Sequence, residues 1–426
     1  MSSGTAFLSA KMDTELYMLV PNYFDDEPFG PDGLKEGFTI RQALKAVPGI
    51  PQGPRLWHGK CKTVFAGLKL VQSKAEYCIF WDSVNHIYIL IWVDDFFVFC
   101  PPVAHGAALL LWKEVQKHID LSDPEPVDDC LGCTVERDRP NKTIWLHQTA
   151  AAEAILRKEG LMEASCTPAS TPMTPGLKLS KADCPTAAAA AVMTDIQRWF
   201  RSVLASLIYL VNWTRPDMAY AVSKLCRFMH NPGKPHVAAL KHLLRYLVGT
   251  KDYGLRYTFG GGGDELGVNG YFDAAHADCP DTYRSTMAYV FFFDKCPISW
   301  HTKLHSFVTT STNHSEYCCS AKACREAKWL DSFCKELDFA DFVSPIPLRS
   351  DSQGSIAMSY NPVQRAATKH IALADHYTRE MQEAGVVAIS FIGTKDMTAD
   401  LLTKSLGNAD YQRHAAKLIS KAREHA

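Results

Sequence analysis

The sequence predicts an α/β protein in which two mixed segments flank an all-helical block. Three patterns carry this expectation. Strand-length runs of β-branched and aromatic residues occur in the first and last thirds, apolar residues recur at helical spacing in between, and short strands alternate with helices after residue 264. The chain has 426 residues, 47% of them hydrophobic, which suits two or three domains with cores of their own.

The elements follow in order. Residues 87–92 and 96–100 read as a buried hairpin around an Asp94-Asp95 turn, and residues 107–118 as a helix. The segment 166–192 is rich in proline, threonine and alanine, with Thr-Pro at Thr167, Thr171 and Thr174, a composition that argues against a packed element. In the block 193–263, Phe200, Val203, Leu204, Leu207, Ile208 and Val211 mark one helix face, and Val237, Leu240, Leu243, Leu244 and Leu247 another. Pro216, Pro232 and Pro235 punctuate these helices, and the glycines at 260–263 read as a flexible joint. From residue 264 to 426, strands are expected at 268–272, 287–293, 297–300, 346–350 and 386–392, with a long helix over 314–337.

Charge is balanced, 45 Lys+Arg against 46 Asp+Glu, so any nucleic-acid contact must come from a local basic face rather than from the total. Lys224, Arg227, Lys234, Lys241, Arg245, Lys251 and Arg256, with Asp252 the only acid among them, form the one such stretch; a solvated helical face is the alternative reading. The 14 cysteines lack paired metal spacing: Cys130 and Cys133 form a lone CxxC, which argues against zinc and for reduced thiols in an intracellular protein. No targeting segment is visible at the start, and the longest apolar run, 87–100, is split by Asp94 and Asp95, so no membrane partner is expected.

Two groups of acids suggest chemistry. Asp94 and Asp95 sit where a tight turn would favour glycine, and adjacent carboxylates repel unless a divalent cation joins them; a solvated turn is the alternative. In the last third, Asp273 closes a strand, Glu316 lies in the first turn of the long helix, Asp351 closes the 346–350 strand and Asp400 opens the last helix. Strand ends and helix starts meet at one edge of an α/β sheet, where four carboxylates can hold two ions ~4 Å apart for phosphodiester hydrolysis. Each has a structural alternative: Glu316 in a capping arrangement with Asn313, Asp351 as an N-cap, Asp400 as a helix-dipole partner. The order Asp, Glu, Asp, Asp suits an RNase H, whereas integrase-like nucleases typically run Asp, Asp, Glu.

These residues lie in motifs that resemble the Pol protein of copia-type LTR retrotransposons over almost the whole chain. Thr5-Ala-Phe-Leu8 looks like the segment after the first palm aspartate, and Glu15-Leu-Tyr-Met18, Pro51-Gln-Gly-Pro-Arg-Leu-Trp57 and Trp92-Val-Asp-Asp95 resemble the polymerase boxes. Arg215-Pro-Asp-Met-Ala-Tyr-Ala-Val-Ser223 and Leu244-Arg-Tyr-Leu-Val-Gly-Thr250 look like the helical connection. Arg284-Ser-Thr286, Pro297-Ile-Ser-Trp300, Ser315-Glu-Tyr317, Ser350-Asp-Ser-Gln353, Thr368-Lys-His-Ile371 and Ala399-Asp-Leu-Leu-Thr-Lys404 continue the RNase H pattern.

The resemblance implies a palm and thumb remnant of a reverse transcriptase over 1–165, a linker over 166–192, a helical connection over 193–263 and an RNase H-like mixed-sheet domain over 264–426. It implies Asp94 and Asp95 as palm metal ligands and Asp273, Glu316, Asp351 and Asp400 as catalytic ligands for Mg²⁺, or Mn²⁺ in its place. It places Gln52 and Arg55 near the template or incoming nucleotide, and Lys369 and His370 at the nucleic acid; Lys241 and Arg245, from the basic stretch, are expected on the face that binds hybrid. The implied partners are an RNA–DNA hybrid, an RNA template, DNA and an intact Pol copy as a dimer partner, in the cytoplasm within a virus-like particle or in the nucleus.

Departures from the pattern shape the expectation. The first palm aspartate would fall near Ser2 and the fingers that precede it are missing, so an incomplete polymerase module and a partial or degenerate copy are expected. Trp92 and Pro48 stand where the family has tyrosine, and Ala275, His314 and Ala372 where it has Asp, Glu and Asp. A non-enzymatic nucleic-acid-binding remnant is the competing expectation.

Overall fold

The computed structural model describes residues 10–21, 38–46, 49–162, 166–186, 194–259, 267–343, 345–360 and 372–422. Helices and sheets are mixed throughout, as the composition of the two outer segments requires. The chain forms two compact units, one of Met1–Val127 with Glu336–Asp338, the other of Asp128–Lys335 with Phe339–Ala426. The division thus falls earlier than the boundary expected at residue 165.

In the first unit, a four-stranded antiparallel sheet carries the hairpin Ile87–Trp92 and Asp95–Phe99 at one edge. Alternate residues Ile89 and Ile91 point to the helices Gly53–Gly67 and His105–Gln116, where Trp57, Phe65, Phe80, Phe96 and Trp112 close the core. The turn differs from the expected one. Trp92 pairs with Asp95, so Val93 and Asp94 form the tip and Asp95 already belongs to the strand. Val93, not an aspartate, takes the positive φ of 56°, and its carbonyl accepts a hydrogen bond from the Trp57 indole.

In the second unit, a five-stranded mixed sheet runs in the order Cys296–Leu304, Thr286–Phe293, Val268–Ala275, Ile346–Ser350, Val387–Phe391. The first three strands are antiparallel neighbours and the last two join in parallel. Strand alternation splits the Thr286–Phe293 side chains between two cores. Ala288, Val290 and Phe292 meet the helices Thr194–Trp213, Ala219–Cys226 and Lys234–Gly249. Tyr289 and Phe291 meet the long helix Thr312–Glu336 through Cys319, Ala323 and Ala327. Gly270 sits where a Cβ would lie 2.8 Å from the Phe291 ring and 2.9 Å from Leu348, so the central strand tolerates no side chain there.

Two further expectations change. The segment after residue 166 has almost no regular structure, yet Thr171, Met173 and Leu179 are buried against the helical block, because apolar side chains between the prolines still find a core. The helical block ends in a strand, Tyr253–Thr258, that joins a second five-stranded sheet with Thr143–His147, Cys133–Asp138, Asp129–Cys130 and Ser420–Lys421. The glycines at 260–263 lie outside the described residues. No helix among the described residues is long and apolar enough to cross a membrane.

Candidate metal centre

Four elements bring the predicted acids to one edge of the mixed sheet. Asp273 lies inside the strand Val268–Ala275, which runs beyond the expected end, and its side chain is 1% exposed. Glu316 stands in the second turn of the long helix rather than the first, because the helix begins at Thr312. Its N-terminus is capped by Ser311, whose hydroxyl accepts from the His314 amide, so Glu316 has no capping role with Asn313. Asp351 follows the strand Ile346–Ser350, and Ser352 rather than Asp351 caps the next helix by accepting from the Ser355 amide. Asp400 opens the short helix Asp400–Thr403; the last helix is Asn408–Leu418.

One ligand oxygen from each of Asp273, Glu316 and Asp351 lies within 4.8 Å of the other two. Among the described residues no other trio of acid, histidine or cysteine side chains is gathered in this way. Glu316 is 3% exposed and its Oε2 has no hydrogen-bond partner. Burial pushes its carboxyl up to about 10, with Asp273 and Asp351 adding repulsion. A buried, repelled and unpartnered carboxylate oxygen is what a divalent cation would satisfy, so these residues fit such an ion.

The neighbours orient the acids. The Thr394 hydroxyl donates to Asp351 Oδ2 at 2.8 Å. The Thr403 hydroxyl donates to Asp273 Oδ2. Lys404 Nζ lies 2.8 Å from Asp400 Oδ1 and 3.3 Å from Asp273 Oδ2. Burial and Asp273 raise Asp400 to about 7, against the opposing pull of Lys404. Sequence reasoning assigned no role to Thr394, Thr403 or Lys404. Only Lys404 carried a local signal, four residues after Asp400, the spacing of a helical ion pair.

The other predicted residues belong to other elements. Asp94 and Asp95 are half-buried at the hairpin of the first unit. Gln52 precedes the helix Gly53–Gly67, and Arg55 pairs with Asp13 at 2.6 Å. The basic stretch is not one continuous face. Lys224 is buried against Asp278 at 3.0 Å, Arg227 donates to Thr286, Lys251 pairs with Glu153, and Arg256 lies over the Trp145 ring. Arg245 donates to the Thr167 carbonyl at 2.8 Å and so fastens the proline-rich segment, whereas Lys241 is exposed. Lys369 and His370 lie outside the described residues.

Comparison with known proteins is in keeping with these features. Residues 1–175 match the reverse transcriptase (RNA-dependent DNA polymerase) family. The Pol polyprotein of transposon TNT 1-94 from Nicotiana tabacum is 32% identical over 94% of this chain, and that of transposon RE1 from Arabidopsis thaliana 30% identical over 97%. The chain spans 29% and 27% of these relatives' own lengths. The foamy viral protease-reverse transcriptase, solved with an RNA/DNA hybrid, aligns over 92% of this chain and 46% of its own, with a TM-score of 0.45 and 12% identity. With a reverse transcriptase match over residues 1–175 and retrotransposon relatives along nearly its whole length, the chain is homologous to the Pol polyproteins of copia-type retrotransposons.

Proposed function

We propose that this chain hydrolyses the RNA strand of RNA–DNA hybrids at Asp273, Glu316, Asp351 and Asp400. The observation that carries this reading is the convergence of Asp273, Glu316 and Asp351 within 4.8 Å, with Asp400 tied to Asp273 through Lys404. Asp273, Glu316 and Asp351 would hold a Mg²⁺ or Mn²⁺ ion, and Asp400 would share a second with Asp273. Such ions, when bound, acidify a coordinated water and neutralise charge on the phosphate.

The chain's own groups supply position. Thr394 fixes the rotamer of Asp351, Thr403 fixes that of Asp273, and the packed helix holds Glu316 against the sheet. Burial keeps competing water from Asp273 and Glu316, which strengthens their hold on a cation. The 2′-hydroxyls of the RNA strand would distinguish it from DNA. What favours the nuclease reading is the gathered trio itself, to which the proposed polymerase ligands Asp94 and Asp95 do not belong.

The test is Mg²⁺-dependent cleavage of a labelled RNA–DNA hybrid by the wild type beside Asp351→Asn. Cleavage is expected to fall by about a hundredfold or more in the variant. Absence of cleavage by folded wild-type protein would leave a nucleic-acid-binding remnant as the better description.

A further inference from the structure

We propose that Lys404 is a built-in cation of the acidic site, which holds the Asp273–Asp400 pair in the metal-free protein and must be displaced when a second divalent ion binds there. The inference rests on the reading of this cluster as a divalent-ion site. Its basis is positional. Asp273 faces two sets of partners: Glu316 and Asp351, which bring carboxyl groups and no cation, and Asp400, with which it shares the Lys404 ammonium. The two halves of the site therefore differ before any ion arrives. The trio with Glu316 carries an unpartnered buried oxygen, whereas the Asp273–Asp400 pair is already neutralised in part.

The chemistry of the side chain suits displacement rather than permanent pairing. A lysine ammonium is a point charge on a flexible four-carbon stem, without the planar fork that locks arginine to a carboxylate. The Lys404 side chain is 39% exposed, so it has solvent to move into, whereas Asp273 and Asp400 are fixed in buried elements. A second divalent ion beside the ammonium would meet like charge at contact distance, so the two exclude each other. Two ions should then bind in order, the first to Asp273, Glu316 and Asp351, the second more weakly to Asp273 and Asp400 with Lys404 moved aside.

Calorimetric titration of the full chain with Mn²⁺ tests this without nucleic acid. The wild type should bind one ion tightly and a second about tenfold or more weakly. Lys404→Met, which keeps the apolar stem, should tighten the second ion about tenfold or more while changing the first much less. Unchanged or weaker second-ion affinity in folded Lys404→Met would overturn the inference, as would two equal ions in the wild type. A second readout needs no variant. Reductive methylation of Lys404, followed by mass spectrometry, should be faster in saturating Mn²⁺ than in chelator; equal or slower labelling would overturn the inference. Both readouts concern ion binding, so they separate from the nuclease proposal. Hybrid cleavage with an unmoved second ion defeats this inference alone, and a moved second ion without cleavage defeats the nuclease reading alone.

Discussion

Glu316 shows how a single side chain can oppose the fold that holds it. It is buried beside two other carboxylates with one oxygen unpartnered, and with its carboxyl pushed up to about 10 it must take up a proton on folding at neutral pH, which costs the metal-free protein stability. Glu316→Gln should raise the melting temperature in chelator by a few degrees and remove most of the stabilisation given by Mg²⁺. Melting scans with and without Mg²⁺ check this, and an undiminished Mg²⁺ shift would disprove it. His414 predicts a pH effect. Burial pushes its imidazole down to about 4 from 6.5, with Lys417 and Arg413 adding to the shift. The unfolded chain therefore binds a proton between these values that the folded chain refuses, so stability is full above pH 6.5 and falls as pH drops towards 4. His414→Gln should lessen the drop in urea midpoint between pH 7 and pH 5; an identical drop would argue against this histidine.

At the scale of elements, one buried network ties the helical block to the C-terminal helix. Arg215 donates to both carboxylate oxygens of Asp217, at 3.0 and 2.8 Å, and to the carbonyl and hydroxyl of Thr250. The Tyr246 hydroxyl donates to Asp217, and the Tyr411 hydroxyl lies 2.9 Å from that of Tyr246. Both ions are essentially sealed from solvent, so removing one strands the other. Arg215→Met should cost about 3–5 kcal/mol in denaturant unfolding. Tyr411→Phe should cost about 1 kcal/mol. Equal small losses would show that the pair is not a keystone of this half. The elements also show what local pattern conveys. The strand Ile346–Ser350 matches its expected limits, and its side chains alternate, with Ile346, Leu348 and Ser350 buried and Pro347 and Arg349 less so, the period of two that marks a strand. The strands Tyr253–Thr258 and Thr143–His147 escaped notice because each needs the other for its ladder, and Arg256 and Trp145 face one another only after pairing.

At the scale of the molecule, each unit has its own apolar core. Trp57, Phe65 and Trp112 anchor one, and the two clusters around the mixed sheet anchor the other. Separate cores predict two unfolding transitions. Because Asp273, Glu316 and Asp351 all lie in the second unit, Mg²⁺ should raise only one of them. Calorimetry would show this, and a joint shift of both transitions would show that the units unfold together.

What the sequence by itself determined was the kind of protein and the identity of the acids at its centre. Strand and helix periodicity conveyed the α/β pattern, the family resemblance implied the mixed sheet, and the order Asp273, Glu316, Asp351, Asp400 marked residues that the fold gathers at one edge or ties to it. Tertiary structure alone decided what surrounds them. Thr394 reaches Asp351 across 43 residues and Thr403 reaches Asp273 across 130, separations at which no local pattern operates. It also decided that much of the basic stretch is spent on internal partners, since a cation's role depends on the acid that the fold sets beside it. Periodicity reports which way a side chain points along its own element, whereas contact between elements is set by packing the whole chain, and that is where the chemistry of the site is completed.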